Sequence, residues 1–253
     1  MVSTAIDNAA LFAVLSSLAD NKQLLGRRYA HWSNGAPSLE AAVAAAAMTQ
    51  DELGHARTLY PLLEQFEQGQ ADPTQLDPMT RDARYALTAL DHEFLGWADF
   101  IAANFLLDTA LTTFFAAAQD SSYEPLRARA RKVVQEERLH LTHAEGWVAR
   151  LANAGGAVRA NLVEALGRWW DETLCWFGPD DDPAMRRLYD DGMIDAPPDA
   201  LRSRFLAVVM PVLSRVGLDE PVSRDEASGE RRPSEPLPWA RWDATTRRLG
   251  VVS

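Results

Sequence analysis

The chain has 253 residues, 47% of them hydrophobic, which is enough for one sizeable core. Its 25 basic residues are outnumbered by 36 acidic ones, and the resulting formal charge of -11 argues against nucleic acid and anionic membranes as partners. The single Cys175 cannot close an internal disulfide, so a reducing cytoplasm fits better than a secreted framework.

Near the N-terminus the apolar run 9–15 has the look of a signal sequence, but Asp7 occupies the flank where positive charge belongs, and helical periodicity runs straight through it. No run approaches the ~18 consecutive apolar residues that span a bilayer. Breakers at Gly35-Ala36-Pro37, between Gly69 and Pro78, at Asp120 to Ser122, at Gly155-Gly156 and between Gly178 and Pro183 mark out long helices. The pattern predicts helices near 4–33, 38–68, 79–117 (with Gly96 as a break point), 124–153 and 159–177, then a shorter one near 198–216. From about 219 the chain turns polar, with Pro221, Pro233, Pro236 and Pro238. The expected division is a helical domain over 1–218 and an irregular tail over 219–253, packed on that domain or on a partner. Alternating strand patterns are absent, so the fold class is all-α.

In a helical bundle the buried stripe recurs at steps of three and four residues. In the second helix it reads Ala45, Met48, Glu52, His55, Leu59, Leu62, Phe66, so a carboxylate and an imidazole interrupt an apolar face. The helix at 124–153 repeats the interruption in Leu126, Ala130, Val133, Glu137, His140, Ala144, Trp147, Leu151. Both pairs are separated by 85 positions, 52 to 137 and 55 to 140. The third helix adds Asp108 on the stripe Trp97, Ile101, Asn104, Asp108, Leu111, Phe115.

Ionised carboxylates are seldom buried without compensation, because leaving water costs several kcal/mol per ion. A metal pair supplies it. Residues three apart share a helix face, so Glu52 with His55 and Glu137 with His140 can each grip a centre, and Asp108 can join them. That arrangement belongs to ferritin-like four-helix bundles with di-iron or di-manganese carboxylate sites. One Glu-x-x-His alone is common by chance; two on core stripes with an inward Asp are not. Glu136 could stand in for Glu137, though the repeat spacing favours Glu137. His143 and Glu145 belong outside the centre, His31 and His92 have no constellation around them, and Trp169, Trp170 and Trp176 read as packing.

The first helix departs from the scheme. Its stripe, Leu11, Leu15, Leu18, Lys22, Leu25, Tyr29, Trp32, puts Lys22 where the fourth carboxylate belongs, and Asp20 lies off the stripe. Lys22 either lifts its head to solvent, or replaces one metal's positive charge, or becomes a neutral, reactive amine. The expectation is a full centre near Asp108, Glu137 and His140, with a weak or empty one beside Glu52 and His55.

At these residues the chain resembles the phenylacetyl-CoA epoxidase family, also called phenylacetic acid catabolic proteins, a ferritin-like group with catalytic and scaffold subunits. The resemblance covers roughly 15–225 and rests on Leu18-Ala19-Asp20-Asn21, Gly35-Ala36-Pro37-Ser38-Leu39, Gln50-Asp51-Glu52-Leu53-Gly54-His55-Ala56-Arg57, Asp108, Glu136-Glu137-Arg138-Leu139-His140, and Trp169-Trp170 through Phe177-Gly178-Pro179-Asp180-Asp181. Length and first helix are similar to the scaffold subunit; the two acidic motifs are similar to the catalytic one. The resemblance implies additional C-terminal helices on a ferritin-like bundle, with Glu52, His55, Asp108, Glu137 and His140 as ligands of iron, or of manganese. It implies a non-haem di-iron-type oxygenase that activates dioxygen and oxidises a small organic substrate such as an aromatic acyl-CoA. Lys22, at a glutamate position of the catalytic subunit, is the candidate catalytic oddity. An electron-donating reductase is the implied partner, with a homodimer or a hetero-oligomer with a homologous subunit. The alternative is a metal-poor scaffold subunit in which Lys22 neutralises the buried acids.

Overall fold

The computed structural model of the chain describes residues 8–71, 81, 83–218, 222–224, 231–233 and 236–250. The first expected helix at 4–33 therefore has its opening outside the described residues, as do the breaker up to Pro78 and tail residue Pro221. Helix α1 (Ala9–Trp32) starts where Asn8 Oδ1 accepts the Leu11 amide at 3.0 Å. Helix α2 (Leu39–Leu63) begins in the same way, with Ser38 Oγ accepting the Ala41 amide at 3.3 Å. These two make the most extensive helix pair in the fold. They approach closely at Gly26, where a Cβ would sit 2.8 Å from the Leu53 side chain and 3.1 Å from Glu52 Cβ. The close approach is what brings the Lys22 and Glu52 stripes face to face.

A one-turn helix, α3 (Glu67–Ala71), closes this pair. Among the described residues the third long helix, expected from 79, starts at Trp97, and Arg81 and 83–96 hold one 3-10 turn at Thr88–Asp91 and no α-helix. Two buried side chains of α1 explain the difference. Asp20 accepts the Tyr85 amide at 3.1 Å and Asn21 accepts the Leu87 amide at 3.0 Å, so backbone groups that would build a helix satisfy buried polar atoms instead. Asp20 is further paired with Arg81 and receives the Tyr60 hydroxyl at 3.0 Å.

From Gly96 the chain runs as one rod: α4 (Trp97–Ala102), a π-helical segment (Ala103–Asp108) and α5 (Thr109–Ala117). By length and composition Trp97–Ala117 could cross a membrane, yet 89% of its most apolar window is buried inside the protein, which is the behaviour of a central core helix. Helices α6 (Glu124–Ala154) and α7 (Gly156–Trp176) complete the layer around it, with α9 (Pro198–Arg215) against α5. The result is an all-α, ferritin-like bundle.

A short α8 (Pro183–Asp190) is not marked by the breaker pattern. Asp182 caps it through the Ala184 amide at 2.9 Å, with Pro183 in the first turn. The Phe177-Gly178-Pro179-Asp180-Asp181 segment therefore turns the chain from α7 into α8, and Gly178, at φ 88°, is the residue that permits the turn. Asp182 also meets buried Arg247 at 2.6 Å, and Thr88 Oγ1 donates to Leu249 O at 2.5 Å. The described part of the tail holds short antiparallel pairs, β1 (Val222–Arg224) with β2 (Arg231–Pro233) and β3 (Trp242–Asp243) with β4 (Arg248–Leu249), which the sequence pattern does not suggest.

Candidate metal centre

The stripes of α1, α2, the π-helical segment and α6 converge on Lys22. Its side chain is wholly buried, so it does not reach solvent. Lys22 Nζ lies 2.5 Å from Asp108 Oδ1, 2.5 Å from Glu137 Oε1 and 3.1 Å from Glu52 Oε1. An ammonium has three hydrogens, and each points to a different carboxylate. Burial alone would lower the Lys22 pKa, but Asp108, Glu137 and Glu52 outweigh it and hold the amine well above its usual value. The neutral, reactive amine is therefore disfavoured, and charge replacement is the fate that the geometry matches.

His140 closes the other side. Its Nδ1 lies 3.0 Å from Asp108 Oδ2, 3.0 Å from Glu137 Oε2 and 3.3 Å from Glu52 Oε1. Despite burial, Glu137 and Asp108 raise its pKa far above the usual imidazole value. Burial pushes Glu137 up, yet Lys22 and His140 overcome that and hold it well below the carboxylate range. Glu52 goes the other way, pushed up to about 8 by burial and by the neighbouring Asp108 charge, with Lys22 only partly offsetting them. The reason is visible in its bonding: Glu52 Oε2 is buried with no hydrogen-bond partner among the described residues.

The two histidines are held from outside by the acids that precede the site glutamates. His140 Nε2, from α6, meets Asp51 Oδ2 of α2 at 3.3 Å, whereas His55 Nε2, from α2, meets Glu136 Oε2 of α6 at 2.8 Å. Each Asp/Glu-Glu-x-x-His motif thus braces the histidine of the other helix. Glu136 faces outward and does not substitute for Glu137. The two sides are nevertheless unequal. Glu52, Asp108, Glu137 and His140 offer ligand atoms that all lie within 4.8 Å of one another; His55 is outside this group, with Nδ1 3.2 Å from Glu137 Oε1.

These distances decide which metal content the residues fit. A pair of metals does not fit, because the Lys22 ammonium already takes one oxygen from each of three carboxylates. One metal does fit: three hard carboxylates and one imidazole are a donor set for iron or manganese, and the unpartnered Glu52 Oε2 is the kind of atom a cation would satisfy.

The chain belongs to the phenylacetic acid catabolic protein family. The family model matches residues 2–234. Within the family, the chain is similar to two components of the 1,2-phenylacetyl-CoA epoxidase of Escherichia coli (strain K12). With the component designated C it shares 28% identity over 224 residues, 88% of each chain. With the component designated A it shares 28% identity over 231 residues, 88% of this chain and 73% of that relative.

Sequence reading places all six expected residues in or beside the cluster but does not show the bracing by Asp51 and Glu136. Both acids lie off the core stripes, and the only signal is the repeated acid before each glutamate. Asn104, on the stripe, does meet the site: its Nδ2 donates to Asp108 Oδ2 at 3.4 Å, and its Oδ1 faces His143 Nδ1 at 3.2 Å.

Proposed function

We propose that this protein is one subunit of a multicomponent oxygenase that acts on an aromatic acyl-CoA thioester, and that its own centre takes one metal. The observation that carries the reading is the Lys22 ammonium, fully buried and bonded to Glu52, Asp108 and Glu137 at once. The names of its relatives, epoxidase subunits for a phenylacetyl-CoA thioester, support the substrate class and the partnership with a homologous subunit. An electron-donating reductase would supply the reducing power such chemistry consumes.

In this reading Glu52, Asp108, Glu137 and His140 would hold iron, with manganese as the alternative. When bound, such a metal binds and polarises dioxygen. Lys22 supplies the second positive charge and fixes the three carboxylates at one separation. His55, braced by Glu136, stands at the outer edge of the cluster, its Nδ1 3.2 Å from Glu137 Oε1, rather than holding a metal of its own.

A second reading, a metal-free scaffold subunit, is favoured by one observation: Lys22 Nζ and His140 Nδ1 each already lie within 3.3 Å of all three carboxylates. Metal analysis after reconstitution with ferrous iron or manganese separates the two. About one metal per chain supports the first reading; well under one overturns it and leaves the scaffold. Two metals per chain contradict both.

A further inference from the structure

Beside the cluster, where the π-helical segment and the start of α5 face α6, lies a pocket of about 110 Å³. Asp108, Glu137 and His140 line it together with Asn104, Thr109 and Thr112. Thr109 is 7% exposed, and its hydroxyl is buried with no hydrogen-bond partner among the described residues. A helical threonine ordinarily bonds the carbonyl one turn back, as Thr113 does onto Thr109 O at 2.8 Å. Thr109 leaves that bond unmade, next to a pocket whose other polar lining is Asn104, Thr112, Arg138, two carboxylates and an imidazole. A buried hydroxyl without a partner is costly, so a ligand is the natural acceptor of its proton.

We infer that this pocket binds a small uncharged oxygen compound, one that accepts a hydrogen bond from Thr109 and donates one to Asp108 or Glu137. Water, hydrogen peroxide and short alcohols belong to this class. The inference names the ligand class of the centre proposed above and rests on that assignment of the site. Size favours the smaller members: at about 110 Å³ the pocket is below the roughly 150 Å³ of a cavity known to hold benzene. Charge sets a limit. An anion would face the Asp108 and Glu137 carboxylates, and a cation would face Arg138 and His140.

Crystals of the whole protein soaked separately in methanol and in benzyl alcohol test this, with Thr109→Val as the comparison. The expected result is an ordered water or methanol oxygen within hydrogen-bond distance of Thr109 Oγ1, lost in Thr109→Val, and no benzyl alcohol in the pocket. A dry pocket in the wild-type protein, or a benzyl ring seated against Asp108 and Glu137, overturns the inference. Melting temperature gives an independent readout: losing a bridged ligand should lower that of Thr109→Val by about 2–4 °C. A rise would show that the hydroxyl was merely an unsatisfied group in a dry site. Neither readout depends on metal, so metal-free protein that holds methanol separates this inference from the reading of the metal content.

Discussion

Lys22 Nζ and Glu137 Oε1 lie 2.5 Å apart in a region where neither side chain meets water. The lysine belongs to the first helix and the glutamate to the sixth, so this single contact ties the ends of the bundle through its core. Glu52 and Asp108 share the same ammonium, and removing it would leave three buried carboxylates around one imidazole.

Lys22→Met tests that dependence. In chelator-treated buffer it should destabilise the protein by about 3–5 kcal/mol, the cost of breaking a buried ion pair from one side. Urea unfolding of the two proteins measures it. A change below about 1 kcal/mol would mean that the carboxylates are neutral or hydrated in the native state.

The bracing acids should be unequal in effect. Asp51→Asn loosens His140, which belongs to the four-residue cluster, and should weaken metal binding on the order of tenfold or more. Glu136→Gln loosens His55, outside that cluster, and should leave the affinity nearly unchanged. Metal titration followed by calorimetry compares them; equal losses would put His55 among the ligands.

His143 carries the pH dependence that is easiest to isolate. Burial, and then the charge of His140, push its pKa down to about 4 from the usual 6.5. A histidine lowered on folding contributes stability that is present above 6.5 and lost as pH falls towards 4. His143→Gln should therefore flatten the stability profile between pH 6.5 and 4. An identical slope in both proteins would show that His143 is already protonated or exposed.

Cys175 should be inert. Its thiol is buried and pushed up to about 12, first by burial and then by Asp171, so at pH ~8 almost no thiolate is present. Native protein should resist a disulfide-exchange reagent over hours and react fully once unfolded.

Much of the centre was legible because helical periodicity places a polar residue on a buried stripe whatever its partner is. Lys22, Glu52, Asp108, Glu137 and His140 all sit where the three-and-four spacing puts them. The spacing was silent about where the third helix begins: Asp20 and Asn21 claim the Tyr85 and Leu87 amides, a long-range effect that no local pattern encodes. The π-helical turn before Asp108 was hidden for a related reason, since an extra residue in one turn leaves the apolar composition of the stripe intact. The asymmetry between His55 and His140 followed only in part from Lys22. The rest lies in where the rings sit, His140 Nδ1 beside Glu52, Asp108 and Glu137 but His55 Nδ1 beside Glu137, and that requires the packed bundle.

The most direct measurement is the metal content of wild-type protein and Lys22→Glu after identical reconstitution with ferrous iron and with manganese, read by plasma mass spectrometry. About one metal per chain in the wild type, rising to about two in Lys22→Glu, is the predicted result. Two metals per chain in the wild-type protein would contradict the placement of Lys22 as the second cation.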